Sequence, residues 1–244
     1  LTLGVMAVNR RNPDGVVRWD DAPTVLSDGS ANPHCFGPNN AAAAALRGLG
    51  LTPAIAPDTN GNGVDDTGDV GRNFQQAKFE KVLLPIAAIA LPPEDRSLVE
   101  FEPFFTHILM HELMHGLGPQ TITVDGRATT VRQELKELNG TLEEAKADIS
   151  GLWALQQLMD KGVIDKRGER GMYVTFLASS FRTLRFGLNE SHAKGMALQV
   201  NYLLDHGAVR IGEGGRFSLD LAKTKKAVTG LTHDIMTLQA HGDY

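Results

Sequence analysis

Residues 101–118 read FEPFFTHILMHELMHGLG, and the five residues His111-Glu112-Leu113-Met114-His115 inside them decide how the chain is understood. Residues four apart on an α-helix share a face, so the imidazoles of His111 and His115 can reach one ion. Glu112 is rotated off that shared axis, far enough to meet a water beside the metal instead of the metal itself. Phe104, Phe105, Ile108, Leu109, Leu113 and Met114 would bury this helix, and Gly116, Gly118 and Pro119 end it. His107 is also four residues from His111, but Ile108 follows it where a base is needed. His107 therefore reads as a packing residue or an outer partner of the site.

HExxH segments arise by chance, and a purely structural helix competes with the metal reading until a third ligand is found. A catalytic zinc takes three protein ligands and keeps one open position. No histidine follows His115 at a metzincin spacing, since the chain continues GLGPQTITVDG (116–126). The third ligand must then come from another helix, and TLEEAKADIS (141–150) offers it, with Thr141 able to cap that helix. Glu144 and Asp148 are four apart, so Glu144 can bind zinc while Asp148 accepts the outer N–H of a ligand histidine. Glu143 has only Ala147 four residues on. An acidic first turn that complements the helix dipole is the plainer alternative for this pair.

Outward from these two segments, composition changes near Phe74. Before it, Pro, Gly, Asn and Asp recur in NPDG (12–15), LSDGSANPHCFGPNN (26–40) and APDTNGNGVDDTGD (56–69), the mark of turns and loops. The Ala run from Ala41 to Leu46 is the exception and suits a short helix. After Phe74, apolar spacing predicts helices over 75–90, 98–116, 132–161 with a break at Gly140, 171–187, 190–206 and 220–240. Pro85 should kink the first of them. The expected fold class is mainly α: a loop-rich segment over 1–74, the end of a preceding lobe, followed by a helical catalytic domain over 75–244.

At 244 residues the chain is long enough for a sizeable core. The apolar share of 42%, charged share of 22%, net charge of −5 and pI near 5.9 give no sign of nucleic-acid binding. No apolar run approaches the roughly 20 residues of a membrane span. The one cysteine, Cys35 beside His34, excludes an intrachain disulfide and a cysteine-based zinc site, and reads as inert. The chain begins LTLGVMAVN without Met and reads as a segment of a longer protein. A soluble protein is expected, with a cytoplasmic location favoured over a periplasmic or secreted one. Oligomeric state has no signal in the sequence.

HELMHGLG (111–118), EEAKAD (143–148) and NESHAKGMALQVNYLLDHGAV (189–209) together resemble the dipeptidyl peptidase III family of zinc metallopeptidases. The likeness runs from about Gln76 to Tyr244 and is closest to bacterial relatives and the peptidase half of plant Nudix-fusion proteins. It implies His111, His115 and Glu144 as Zn2+ ligands, Glu112 as the base, and Glu143 as the partner that orients a ligand histidine. It also implies that His192 steadies the tetrahedral intermediate, and that the substrate is a short peptide cut from its amino terminus. The chain departs from typical members in three ways. It has plain HExxH where they carry HExxGH. It shows no clear counterpart, before Gln76, of their asparagine-bearing strand. It ends at HGDY (241–244), where they continue with further helices and an arginine near the substrate.

One other segment carries ligand chemistry. Asp58, Asn60, Asn62, Asp66 and Asp69 place oxygen side chains at positions 1, 3, 5, 9 and 12 of a loop, with Gly63 at position 6 and the Val64 carbonyl at 7. This is the order of an EF-hand-like Ca2+ loop, though Asp69 is shorter than the usual glutamate and Pro53 and Pro57 oppose a preceding helix. An ion-free polar turn has the same composition. Tyr173 and Tyr202 read as packing residues, and Lys223, Lys225 and Lys226 as a solvated helix face. Two other functions fit the motifs: a zinc hydrolase of a non-peptide amide or ester, and a zinc-stabilised binding module without turnover.

Overall fold

The computed structural model describes residues 74–244, so Cys35 and the Asp58–Asp69 loop lie outside the described residues. From Phe79 to Tyr244 the chain forms one unit built on helices. A π-helical turn, Phe79–Leu83, leads into α1 (Leu84–Ala90), with Pro85 in the first turn of α1. Proline lacks an N–H and crowds the carbonyl four residues back, so the change of register falls just ahead of it, where the kink was expected. A short turn of helix, α2 (Pro93–Arg96), precedes α3 (Phe101–His115).

Two antiparallel hairpins interrupt the helices. β1 (Thr121–Val124) pairs with β2 (Arg127–Thr130), turning through Asp125 at φ 50 and Gly126 at φ 76. Positive φ at both turn residues is the type I′ geometry that Asp-Gly favours. Thr130 then caps α4 (Val131–Leu135) through a reciprocal capping box with Gln133, a device worth about 1 kcal/mol. The second hairpin joins β3 (Val209–Ile211) to β4 (Phe217–Leu219).

The long helix is α5 (Asn139–Asp160), and α6 (Glu169–Leu184), α7 (Ser191–Asp205) and α8 (Leu221–His241) follow. α5 packs against α3, α7 and α8, so it is buried on more than one side. Ala145, Ile149, Leu152 and Leu155 of α5 sit in the main core with Tyr173, Val174, Leu177, Leu203 and Leu231. Fully burying an aliphatic side chain of this size contributes roughly 1.5–3 kcal/mol, which makes α5 the element the fold depends on.

Three local expectations are corrected. The break before α5 lies at Lys136, at φ 48, and not at Gly140, which is inside the helix. Thr141 is likewise interior; α5 begins at Asn139 without a side-chain cap. On α3 the buried positions are Phe104, His107, His111 and Met114, while Leu109 and Leu113 are exposed. No helix among the described residues is long and apolar enough to cross a membrane.

Candidate metal centre

α3 and α5 cross closely because Gly151 has no side chain. A Cβ there would stand 3.3 Å from the His111 backbone nitrogen. α7 approaches the other flank of α5 in the same way, since a Cβ on Gly195 would lie 2.9 Å from the Thr141 carbonyl oxygen and 3.1 Å from the Ala145 nitrogen. A Cβ on Gly140 would come 2.8 Å from Ser191 Oγ, so that hydroxyl would have to turn away. These contacts bring His111 and His115 on α3, Glu143, Glu144 and Asp148 on α5, and His192 on α7 into one cluster.

The two α3 imidazoles stand edge to face with ring centres 4.7 Å apart, and their Nε2 atoms are separated by 3.1 Å. Each outer nitrogen meets a carboxylate: His111 Nδ1 lies 2.8 Å from Asp148 Oδ1, and His115 Nδ1 lies 3.0 Å from Glu143 Oε1. An ionised carboxylate only accepts, so both Nδ1 atoms carry protons, and a neutral ring then presents a bare Nε2. Glu144 Oε2 completes the group at 3.3 Å from His111 Nε2 and 3.7 Å from His115 Nε2. His192 Nε2 reaches that oxygen at 3.0 Å, with its ring stacked 6.1 Å from that of His111.

Charge decides what this arrangement can hold. Glu144 Oε2 is buried and receives no well-directed hydrogen bond, although three imidazole nitrogens lie near it. Two nitrogen lone pairs and an anionic oxygen aimed at one point repel unless a cation stands between them. Without a metal, protons supply that cation. Burial opposes charge on His111, but Asp148 and Glu144 outweigh it and raise its pKa to about 10. Glu143, then Glu144, raise His115 to about 9 against burial. Burial also opposes charge on Glu144, yet His111, His115 and His192 hold its carboxyl well below the usual range. The donor set His111, His115 and Glu144, with ligand atoms all within 4.8 Å of one another, fits a divalent metal ion.

Glu112 lies on the exposed side of α3, adjacent in sequence to His111. His107 is buried, donates from Nε2 to the Asp148 carbonyl at 2.9 Å and meets Phe176 edge-on, so it packs α3 to α5 and α6. Burial is the main reason its pKa is lowered. Tyr173 is buried and donates to Gln156, and Tyr202 donates to Asp234; neither reaches the cluster. Lys225 pairs with Glu169 at 2.7 Å, so that lysine is not simply solvated.

Polar residues not anticipated from the sequence surround the carboxylates. Gln199 of α7 donates to Asp148 Oδ2 at 3.3 Å, and Gln239 of α8 donates to Glu143 Oε2 at 3.2 Å. Lys146 pairs with Glu143 Oε1 at 2.8 Å. A polar residue recurring inside the apolar stripe Met196, Val200, Leu203 was the available signal for Gln199.

The fold and cluster define a helical domain with a His111, His115 and Glu144 group that could hold a metal ion, and the comparisons place it more narrowly. The chain is 59% identical to dipeptidyl-peptidase III from Corallococcus sp. strain EGB, with a TM-score of 0.69, over 70% of this chain and 32% of that one. It is 46% identical to DPP III from Caldithrix abyssi, again at TM-score 0.69, over 71% of this chain and 33% of that one. Nudix hydrolase 3 of Arabidopsis thaliana is 53% identical over 173 residues, 70% of this chain and 22% of that protein. No family profile matches. The chain belongs with the dipeptidyl peptidase III family. It spans about a fifth of the plant protein and about a third of each solved structure.

Proposed function

We propose that this chain is the metal-binding part of a zinc-dependent peptidase that cuts short peptides from their amino terminus. The observation that carries the reading is the convergence of His111 Nε2, His115 Nε2 and Glu144 Oε2, each imidazole held from behind by its own carboxylate. Donors about 2.0–2.1 Å from a tetrahedral ion lie roughly 3.3 Å from one another. The distances of 3.1, 3.3 and 3.7 Å are close to that spacing. The two solved structures described above are dipeptidyl-peptidase III proteins, which supports the peptide substrate and the amino-terminal mode.

When bound, zinc supplies Lewis acidity, lowering the pKa of water and polarising the scissile carbonyl. Glu112 takes the proton of the attacking water and passes it to the leaving amine. His192, whose pKa Glu144 raises, offers its Nε2–H as a hydrogen bond to the developing oxyanion. Asp148 and Glu143 fix the tautomers of His111 and His115. An exposed glutamate directly following the ligand candidate His111 on α3, Glu112, favours turnover over a merely structural site, and nothing in the geometry favours an ester or non-peptide amide substrate.

Glu112→Gln tests the assignment, because the amide keeps the shape of the side chain and removes its basicity. Zinc content per chain should stay at the unsubstituted level while hydrolysis of dipeptide-releasing substrates falls by about 10²–10⁴. A Glu112→Gln chain that turns over peptides at the normal rate removes Glu112 from the mechanism.

A further inference from the structure

Lys146 lies two residues beyond Glu144 on α5, yet only 1% of it is exposed. An ammonium buried this fully is costly unless paired and hydrogen-bonded. Its Nζ meets Glu143 Oε1 at 2.8 Å and donates to the Leu117 carbonyl at 2.7 Å. Glu143 Oε1 is the same atom that accepts the His115 Nδ1 proton at 3.0 Å. Leu117 lies two residues past His115, in the turn that ends α3. The stem of Lys146 fills the space beneath that turn: Gly118 has φ +91, and a Cβ there would stand 3.5 Å from Lys146 Cδ. Lys146 thus grips His115 from two directions, through the carboxylate that holds its ring and through the turn that carries its backbone.

His111 is held differently. Its carboxylate, Asp148, accepts from His111 Nδ1 at 2.8 Å and from the neutral Gln199 amide at 3.3 Å; among the described residues no lysine or arginine forms an ion pair with it, and Arg182 acts on it only at longer range. The two imidazoles that converge on Glu144 are therefore anchored by unlike means.

We infer that Lys146 is a positioning residue for His115, and that without it the His115 arm of the metal centre loosens while the His111 arm stays in place. It acts through Glu143 and the Leu117 carbonyl and touches neither metal nor substrate. The inference rests on the metal reading above. Outer partners of ligand histidines are typically worth 10–100-fold in metal affinity, and the charge and double grip of Lys146 place it in that range.

The test uses the full chain with zinc alone as the probe, in Lys146→Met, Lys146→Gln and Lys146→Arg. Affinity, measured by competition with a chromogenic chelator, should fall about 10–100-fold in the two neutral variants and return to within about threefold in Lys146→Arg. Lys146→Gln keeps a donor for the Leu117 carbonyl, so the result does not depend on Lys146→Met folding. In the metal-free protein, proton NMR should show the His115 Nδ1–H signal lost or shifted in Lys146→Gln while the His111 signal persists. A merely structural lysine would disturb both signals alike. Failure of the unsubstituted chain to bind zinc defeats the metal reading itself. Normal affinity in Lys146→Gln, equal disturbance of both imidazole signals, or no recovery with arginine overturns the role of Lys146 alone.

Discussion

His192 is more than half exposed, yet its Nε2 sits 3.0 Å from Glu144 Oε2. An exposed imidazole held by a half-buried carboxylate is placed to meet substrate at the edge of the cluster, not to stabilise the core. His192→Ala should therefore reduce kcat by about 10²–10³, the usual cost of one oxyanion donor. Zinc affinity should barely change, because the carboxylate and the other two imidazoles remain. Peptide kinetics beside a zinc titration would decide this, and a large loss of affinity with normal kcat would make His192 a ligand instead. At this scale the sequence was most legible where spacing carried the chemistry, at His111, His115, Glu144 and Asp148, which the fold brings together. It was silent on Lys146, Gln199 and Gln239. A polar residue on a helix reads as solvent-facing, and only the tertiary packing shows that these three are 0–1% exposed.

Among the elements, the crossing of α7 on α5 sets the distance from His192 to Glu144. Gly195 lies one turn after His192 and has the Thr141 carbonyl oxygen 2.9 Å from where its Cβ would be. Gly195→Ala should push the two helices apart, cost about 1–3 kcal/mol of stability, and lower kcat by drawing His192 from the cluster. Denaturant unfolding and peptide kinetics read the two effects separately; an unfolding midpoint equal to that of the unsubstituted chain would show that the crossing yields. Helical periodicity located α3, α5, α6, α7 and α8 because each has a long apolar stripe. It failed on α3 in detail, since histidines with partners inside the fold take the buried positions at 107 and 111 and leave Leu109 and Leu113 outside. The β1–β2 hairpin went unread although Asp125-Gly126 between apolar and β-branched residues is its standard signal. The break expected at Gly140 is absent because that glycine continues the helix, on the side of α5 that faces Ser191.

For the whole molecule, the cluster ties stability to pH and to metal. In the metal-free protein, against burial, Asp148 and Glu144 push His111 up to about 10 and Glu143 and Glu144 push His115 up to about 9 from the ordinary 6.5, and with their Nε2 atoms 3.1 Å apart the two rings titrate as one pair. Their contribution to stability is complete below about pH 6.5 and is lost as pH rises through 9 and 10. Glu144 and Asp148 are shifted below the ordinary 4.5 and 3.8, so theirs is complete above those values and lost on acidification. The metal-free chain should be most stable between about pH 4.5 and 6.5 and weaken on the alkaline side. Zinc requires bare Nε2 atoms and displaces these protons, so its stabilising effect should grow with pH and carry the optimum upward. Thermal unfolding from about pH 4 to 10, with and without zinc, measures both curves. A metal-free Tm that climbs steadily above pH 8 would mean that the imidazoles are not held as protonated partners of Glu143, Glu144 and Asp148.

In the proposed function one ion sits among His111, His115 and Glu144. Anomalous diffraction at the zinc edge, from crystals of the full chain grown with zinc, tests it most directly. A single strong peak is expected about 2.0–2.2 Å from His111 Nε2, His115 Nε2 and a Glu144 carboxylate oxygen. A peak elsewhere, or none within bonding distance of both imidazoles, would contradict it.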